Sequence, residues 1–157
     1  MKLHAVTEGR NSVHPIEVPE NPNKQDLIAA MVRSGQPGEI EEILVFTDES
    51  EDQLGETVVL ESETIIVCHR CREIGVEVTY NGRTIKKHFA PSTKSKKVFA
   101  WSIKEFGIDH AEALHHELLD GSDKGKPLQP TQRIGTLVHY PKCELPLWLV
   151  KDVNILG

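Results

Sequence analysis

The sequence predicts an α+β protein of two consecutive domains, each a mixed sheet wrapped around one helix. The order of predicted elements is the first reason, because a hairpin, a helix and further strands occur twice, in copies of about 75–80 residues. The distribution of charge is the second. Residues 1–73 hold 6 Lys and Arg against 15 Asp and Glu, whereas residues 74–157 hold 12 against 9. We therefore expect domains at residues 1–72 and 73–150, followed by a flexible tail at 151–157.

The first domain is predicted to open with a hairpin and a helix. Residues 1–7 and 13–18 show the apolar alternation of paired strands. Asn23 can cap a helix together with Asp26, and apolar residues then recur at helical spacing until Gly35 ends the pattern. The remaining apolar runs predict strands at 43–47, 57–60 and 64–68.

The second domain repeats this order. Residues 76–80 alternate cleanly, Asn81-Gly82 is a strong hairpin turn, and residues 83–89 form the return strand. The next helix is expected to be capped by Ser92, Thr93 or Ser95. Its apolar positions are Val98, Phe99, Trp101, Ile103 and Phe106. Further strands are predicted at 113–119, 137–140 and 145–150.

Composition excludes several classes of protein. No apolar run approaches the roughly 18 residues that span a bilayer, and the chain opens with no signal peptide, so we expect neither a membrane protein nor a secreted precursor. The three cysteines are too few and odd in number for a disulfide scaffold, which favours a reducing, cytoplasmic setting. The acidic first half would repel phosphates, which disfavours nucleic-acid binding.

The motif Cys68-His69-Arg70-Cys71 has to be weighed as a metal or redox site. Zinc requires four ligands in a tetrahedron, and no second pair follows at a suitable spacing. We favour the interpretation in which Cys68 ends a buried strand and Cys71 lies in a short linker at 69–73. A redox pair is the alternative, and we expect neither a metal nor a cofactor.

The chain contains no recognisable catalytic motif. His115 and His116 fall in a predicted strand, so we expect them to point to opposite faces. Neither a nucleophile-elbow serine nor a phosphate-binding glycine loop occurs. We therefore expect a substrate of enzymes and not an enzyme.

The repeated order of elements resembles the β-grasp fold, and two copies in tandem resemble the two-domain ubiquitin-like modifiers. In the second copy, residues 76–89 look like the opening hairpin of such modifiers and residues 148–150 look like their last strand. A short tail then leads to Gly157. The families that the chain resembles are the interferon-induced tandem modifier and the bacterial antiphage proteins of BilA type.

This resemblance implies a function for the tail. In such modifiers an activating enzyme adenylates the terminal carboxylate, cysteine thiolates carry it as a thioester, and a target amine finally forms an isopeptide bond. Gly157 would be the conjugation site, after trimming if a longer precursor exists. The tail residues expected to contact the activating enzyme are Val153, Asn154, Ile155 and Leu156. A conjugating enzyme, a deconjugating peptidase and a protein target are the other implied partners, and a bacterial source would imply antiphage defence.

A basic cluster at the start of the second helix is a further candidate surface. It comprises Lys94, Lys96 and Lys97, together with Lys86 and Lys87. The simplest interpretation is a solvated face, and the alternative is a docking surface for an acidic partner, such as the first domain of another copy. Trp101 belongs to an apolar set too broad for one stripe of a helix, so we expect part of that set to contact the first domain.

Two other functions stay open. A noncovalent adaptor would bind partners through a β-grasp surface or an exposed strand edge and would not need Gly157. A sulfur carrier would bear a thiocarboxylate on its terminal glycine, but such carriers typically have one domain and end in two glycines. The short linker limits the orientations of the domains, so we expect the first to be an addressing surface and the second to carry the reactive tail.

Overall fold

Two mixed sheets, one from each half of the chain, form the framework of the protein. The structure is a computed structural model that describes residues 1–48, 50–55, 59–122 and 125–151. In chain order its elements are β1 (Lys2–Val6), β2 (His14–Glu17), α1 (Lys24–Arg33), a 3-10 helix (Ile40–Glu42), β3 (Leu44–Thr47), β4 (Ile65–His69), β5 (Ile74–Tyr80), β6 (Arg83–Phe89), α2 (Ser95–Glu105), α3 (His110–Ala113), β7 (His116–Asp120), β8 (Lys126–Pro127), a second 3-10 helix (Ile134–Leu137) and β9 (Glu144–Lys151).

The first sheet has the strand order β2-β1-β4-β3. Its two central strands, β1 and β4, run parallel, and the outer strands are antiparallel to them. The helix α1 covers one face, where Leu27 and Met31 are fully buried with Leu3, Val45 and Ile66. The predicted hairpin, helix and buried strands of the first domain are confirmed.

The start of α1 is fixed by the predicted capping box. Oδ1 of Asn23 accepts a hydrogen bond from the backbone N–H of Asp26 at 2.8 Å. In return, Oδ2 of Asp26 accepts one from the N–H of Asn23 at 3.0 Å. Gly35 follows the helix with a φ of 110°, a conformation that residues with a Cβ rarely adopt. The sequence therefore sets both ends of this helix.

The second sheet has the strand order β6-β5-β9-β7-β8. As in the first sheet, two neighbouring strands inside the sheet, here β5 and β9, run parallel. Val98 and Ile103 of α2 are buried against Val76, Val78 and Leu147 of the sheet. Each half of the chain is therefore a mixed sheet wrapped around one main helix. This is the β-grasp arrangement that the sequence predicted, present twice.

Three of the predicted strands need correction. The predicted strand at 113–119 is wrong at its start, because α3 ends at Ala113 and β7 begins only at His116. The predicted strand at 137–140 is wrong, since that region follows a 3-10 helix whose Gly135 N–H donates to the Pro91 carbonyl instead of to a strand. For the predicted strand at 57–60, the first two residues lie outside the described residues and the last two form no strand.

The predicted hydroxyl cap of α2 is also wrong. The N-cap is Lys94, and its side chain makes no capping hydrogen bond. The hydroxyl of Ser92 donates to the carbonyl of Ser50, and that of Ser95 donates to the carbonyl of Gln129. These hydroxyls tie the start of α2 to neighbouring segments and not to the helix itself.

Cys71 and Cys143 form a disulfide, which overturns the expectation that the cysteines play no such part. Their Cα atoms are 5.8 Å apart although 72 positions separate them in the sequence. They meet because β5 and β9 are neighbours, with Gly75 paired to Glu144. Cys68 is free and fully buried, and burial raises the pKa of its thiol. A count of cysteines is therefore no guide to the redox environment of this chain.

Candidate functional site

The outer face of the first sheet is buried against the second domain. A β-grasp sheet has one face under its helix and a second face pointing away. Here the second face contributes Val6, Phe46 and Val67 to a buried cluster with Ala90 of the second domain. Phe46 is only 1% exposed. The contact between the domains, which we call the junction, therefore has an apolar centre of its own.

A buried carboxylate lies at one side of the junction. The side chain of Glu8 is fully buried and accepts hydrogen bonds from Nη2 of Arg70 at 2.7 Å and from the backbone N–H of Tyr140 at 3.1 Å. Burial alone would raise the pKa of Glu8, but the Arg70 side chain and the backbone N–H groups of Arg70 and Tyr140 together hold that pKa below its usual value. The carboxylate therefore stays charged while it joins both domains.

His69 links the same region to the second domain. Its fully buried ring lies within hydrogen-bond distance of the carbonyls of Gly135 and Val138, at 3.1 and 2.9 Å from Nε2. Nδ1 accepts a hydrogen bond from the N–H of Cys71 at 2.9 Å. Since carbonyls only accept, the proton is on Nε2 and the ring is neutral. Burial lowers the pKa of His69, which agrees with this assignment.

An acidic loop of the first domain meets basic residues at the other side of the junction. Asp48 Oδ1 accepts hydrogen bonds from Nε and Nη2 of Arg133 at 2.8 and 2.6 Å. Its Oδ2 is 3.8 Å from Nζ of Lys94. Lys97 Nζ donates to Glu51 Oε1 at 2.6 Å. The charge difference seen between the two halves of the sequence is thus partly neutralised inside one molecule.

This arrangement changes the meaning of the predicted basic surface. Lys94 and Lys97 contact the first domain of their own chain, so the acidic group that they meet needs no second copy. Lys96 lines one recess together with Thr93, Lys94 and Lys97, and it also borders a pocket of about 160 Å³ beside β7. Trp101 is half-buried and packs edge-on against Phe89, with ring centroids 5.5 Å apart. The three lysines therefore lie together, whereas Trp101 packs on the core of the second domain.

Within the described residues, the outer face of the second sheet is left uncovered around Trp148, unlike that of the first sheet. Trp148 of β9 is 52% exposed and lies between Thr79 of β5 and Leu119 of β7 in the strand register. Gly121 approaches it so closely that an added Cβ would come within 3.1 Å of the Trp148 Nε1 and 2.8 Å of the Pro146 carbonyl oxygen. Sequence reasoning treated 148–150 only as a strand and missed this exposed aromatic side chain.

The strand β9 holds the position from which the tail leaves. It pairs with β5 from Glu144 to Trp148 and with β7 from Leu147 to Lys151, so each of its eight residues has a partner strand. The predicted conjugation site Gly157 and the predicted tail contacts Val153, Asn154, Ile155 and Leu156 lie outside the described residues. A firmly held strand therefore leads directly to the candidate reactive segment.

His115 and His116 are not the opposed pair that the sequence predicted. His115 precedes β7, and His116 opens it. The His116 Nδ1 lies 2.8 Å from the Glu112 carbonyl, so it donates, and Nε2 accepts from the Tyr80 hydroxyl at 3.2 Å.

Among the residues that the structure describes, no group of three His, Cys, Asp or Glu side chains is arranged to hold a metal ion. No helix of this part of the chain is long and apolar enough to cross a membrane.

Comparison with known proteins assigns the second domain. Residues 75–152 match the family of BilA ubiquitin-like domain 2. The second half of the chain is a BilA-type ubiquitin-like domain. The matched segment takes in almost all of the second sheet, including the Trp148 face and the whole of β9.

Two solved structures are similar to half of this chain. The ubiquitin of Caldiarchaeum subterraneum is 14% identical, with a TM-score of 0.41 over 50% of this chain and 92% of its own. A protein designed de novo from ubiquitin is 13% identical, with a TM-score of 0.39 over 50% of this chain and 88% of its own. No curated protein matches this chain.

Proposed function

We propose that this protein is a modifier that is joined to other proteins through the carboxylate of Gly157. The BilA match of residues 75–152 is the observation that carries the proposal. It is supported by the position of β9, which is held at the centre of the sheet and leads at Lys151 into the last six residues of the sequence. The domain boundary after residue 72 and the start of the tail at 151 belong to this proposal.

The chemistry would be acyl transfer by partner enzymes. A carboxylate is a poor electrophile, so the activating enzyme joins the Gly157 carboxylate to the AMP part of ATP and releases pyrophosphate. A cysteine thiolate of the enzyme then displaces AMP to give a thioester, and a target amine displaces the thiol to give an amide. Glycine suits this position because it lacks a Cβ that would hinder attack on the acyl carbon.

The modifier itself would contribute the tail and a binding surface for the enzymes. Val153, Asn154, Ile155 and Leu156 would thread the channel of the activating enzyme in extended form. The enzymes would bind the outer face of the second sheet around Trp148, because the corresponding face of the first sheet is buried in the junction. The protein would then bind a conjugating enzyme, be joined to a target protein, and later be released by a deconjugating peptidase. The match to the BilA family supports a role in bacterial antiphage conjugation.

The test is formation of a thioester in vitro. The protein is mixed with ATP and a candidate activating enzyme, and a non-reducing gel is searched for an adduct that thiols remove. Deletion of Gly157 should abolish the adduct, and Trp148→Ala should slow its formation roughly tenfold. Val13→Ala is the matched control, because Val13 is 50% exposed but lies in the first domain.

The opposite result would favour the noncovalent adaptor. With an enzyme shown to be active on another substrate, a failure of the wild-type protein to form any adduct would contradict conjugation. Formation of the adduct without Gly157 would contradict the assigned site. The sulfur carrier would be recognised by a thiocarboxylate on Gly157 in place of an isopeptide bond.

A further inference from the structure

The pocket beside β7, which we call the β7 pocket, has no part in the functions considered so far. Its volume is about 160 Å³. Phe99 of α2, Leu118 of β7, Leu128 and Pro130 supply its apolar lining, and Ser95, Lys96, His116 and Glu117 complete it. An apolar cavity of about 150 Å³ holds one benzene molecule, so the β7 pocket suits a single aliphatic side chain.

The walls of the β7 pocket are held in place by hydrogen bonds of their own. The N–H of Leu128 donates to the Leu118 carbonyl at 3.0 Å, and the Ser95 hydroxyl donates to the Gln129 carbonyl. The strand β8 pairs only with the last two residues of β7, so within the described residues no strand covers the first part of that edge. The pocket is therefore preformed and accessible from the end where His116 lies.

The last strand, β9, ends next to this side of the pocket. Its final residue, Lys151, is the register partner of His116. Neighbouring strands lie about 4.8 Å apart, so the path from Lys151 across β7 to the far side of that strand is about 10 Å long. Six residues follow Lys151 in the sequence, and an extended chain of that length spans about 20 Å. These residues are therefore long enough to reach the pocket.

An exposed leucine lies at the point where such a path crosses the start of β7. Leu114 is 81% exposed and follows α3 directly, two residues before His116. Nζ of Lys151 is 3.7 Å from Oε2 of Glu112 in α3, which places the end of β9 against that helix. A single exposed leucine needs no partner. Here, however, one short segment that leaves Lys151 could cover Leu114 and fill the β7 pocket together.

The tail carries aliphatic side chains at the spacing that this path requires. In an extended chain alternate side chains point the same way, so Val153 and Ile155 share one side and Leu156 takes the other. The branched Val153 and Ile155 favour such a backbone. Ile155 comes four residues after Lys151, about 13 Å along an extended chain, which is enough to enter the pocket. Val153 comes two residues after Lys151 and would fall near Leu114.

We propose that the tail folds back across the start of β7 in the free protein, with Val153 on Leu114 and Ile155 in the β7 pocket. The tether favours this occupant over other segments, because it gives the tail an effective concentration in the millimolar range. The docked tail has to leave the pocket before an activating enzyme can hold Gly157. That consequence, unlike the docking itself, rests on the proposed function, and it weakens the apparent affinity of the enzyme in proportion to the docked fraction.

Amide NMR spectra of the protein test the docking without any enzyme. Removal of residues 152–157 should shift the amide signals of Leu118 and Leu128. Ile155→Ala should reproduce these shifts, whereas Leu156→Ala, the matched control in the same tail, should leave the signals in place. The free peptide Asp-Val-Asn-Ile-Leu-Gly, at about 5 mM, should restore at least half of the shift in the shortened protein, since it replaces the effective concentration of the tether.

Three results would overturn the docking. They are identical amide signals with and without residues 152–157, equal shifts from Ile155→Ala and Leu156→Ala, and a difference between the full and shortened proteins that fades on dilution from about 0.5 mM to about 0.02 mM. The last result would assign the pocket to the tail of a second copy. None of the three bears on conjugation, because the spectra require neither ATP nor an activating enzyme.

Competition with the activating enzyme is measured on a variant of the pocket, because Ile155 is also a proposed enzyme contact. Leu128→Gln should free the tail and raise the rate of thioester formation at limiting enzyme by at least about twofold. Lys126→Gln, two residues away and outside the pocket lining, should keep the wild-type rate. Thermal melts check that both variants are folded. An unchanged rate in Leu128→Gln would overturn the competition while leaving conjugation intact, whereas a wild-type protein that forms no thioester contradicts conjugation and leaves the NMR result standing.

Discussion

The carboxylate of Glu8 and the guanidinium of Arg70 form a two-point ion pair, with Oε1–Nε at 3.0 Å and Oε2–Nη2 at 2.7 Å. Glu8 belongs to the first domain, and Arg70 lies where the chain leaves the first sheet. A buried carboxylate persists only when such partners surround it. The pair lies within the first domain and holds the Glu8 carboxylate where the N–H of Tyr140, in the second domain, donates to it. It therefore helps to fix how one domain sits on the other, beyond what a short linker would impose.

Replacement of Glu8 by Gln should weaken the whole protein. The change removes the charge that Arg70 faces and leaves its guanidinium without a matched acceptor, so the free energy of unfolding should fall by about 3 kcal/mol. Urea unfolding followed by circular dichroism measures it. Glu20→Gln, at an exposed position, should leave the midpoint unchanged. A wild-type midpoint for Glu8→Gln would show that the ion pair does not stabilise the junction.

Stability should fall as the pH is lowered, first because of His69. Its pKa is depressed by burial below 6.5, so between pH 6.5 and the folded pKa the unfolded chain binds a proton that the folded chain does not. Protonation of Glu8 lowers the stability further at a more acidic pH. Its folded pKa is below 4.5, so its contribution is present above that value and is lost as the pH falls through the folded pKa.

Urea unfolding between about pH 7.5 and about pH 5 measures this dependence on pH. The slope should flatten in His69→Gln, whose side chain does not titrate, and it should persist in His110→Gln at an exposed position of α3. Because His69→Gln also removes buried hydrogen bonds, the slopes are compared and not the absolute stabilities. A wild-type protein equally stable at both ends of this range would contradict the buried neutral ring.

The disulfide should make stability sensitive to thiols. Cys71–Cys143 closes a loop of 72 positions, and loss of such a bridge typically costs about 2–4 kcal/mol. Dithiothreitol should therefore lower the unfolding midpoint of the wild type and of Cys68→Ala, which retains the bridge. Dithiothreitol should leave the unfolding midpoint of Cys143→Ser unchanged, because that variant lacks the bridge. A wild-type midpoint indifferent to dithiothreitol would mean that the bridge adds nothing.

Gly9→Ala should destabilise the junction for two separable reasons. Gly9 has a φ of 69°, and an added Cβ would lie 1.9 Å from Cε1 of His139. Gly82 has a similar φ of 78° with open space around it, so Gly82→Ala reports the backbone cost alone, about 1 kcal/mol. Gly9→Ala should cost more, and adding His139→Ala should recover the difference. Equal costs at both glycines would exclude the steric contact.

Local patterns were enough to predict most of the individual elements. Asn23 and Asp26 are three residues apart, and Asn81-Gly82 forms a turn between adjacent strands, so the interactions that matter lie within a few positions. The outward orientation of Trp148 could also have been predicted from the sequence, because Trp148 alternates with Leu147 and Leu149 in a strand. Applied with period two, that alternation places Trp148 opposite the core.

The junction could not be predicted in this way, because its contacts join distant positions. Glu8 meets Arg70 across 62 positions and Tyr140 across 132. A glutamate next to a glycine has the composition of an exposed turn, and nothing nearby signals burial. The disulfide is similar, since it depends on β5 and β9 being parallel neighbours. Pairings of this kind follow from the fold, and become visible only once the order of strands is known.

The most direct test of the proposed function is mass spectrometry of conjugates from cells that express the protein with its neighbouring genes. Trypsin cuts after Lys151, so a modified target lysine should retain residues 152–157, Asp-Val-Asn-Ile-Leu-Gly, as a branch. We expect branched peptides joined through Gly157, and none when Gly157 is deleted. Recovery of partner proteins with the same bait, but without any branched peptide, would contradict the modifier and favour a noncovalent adaptor.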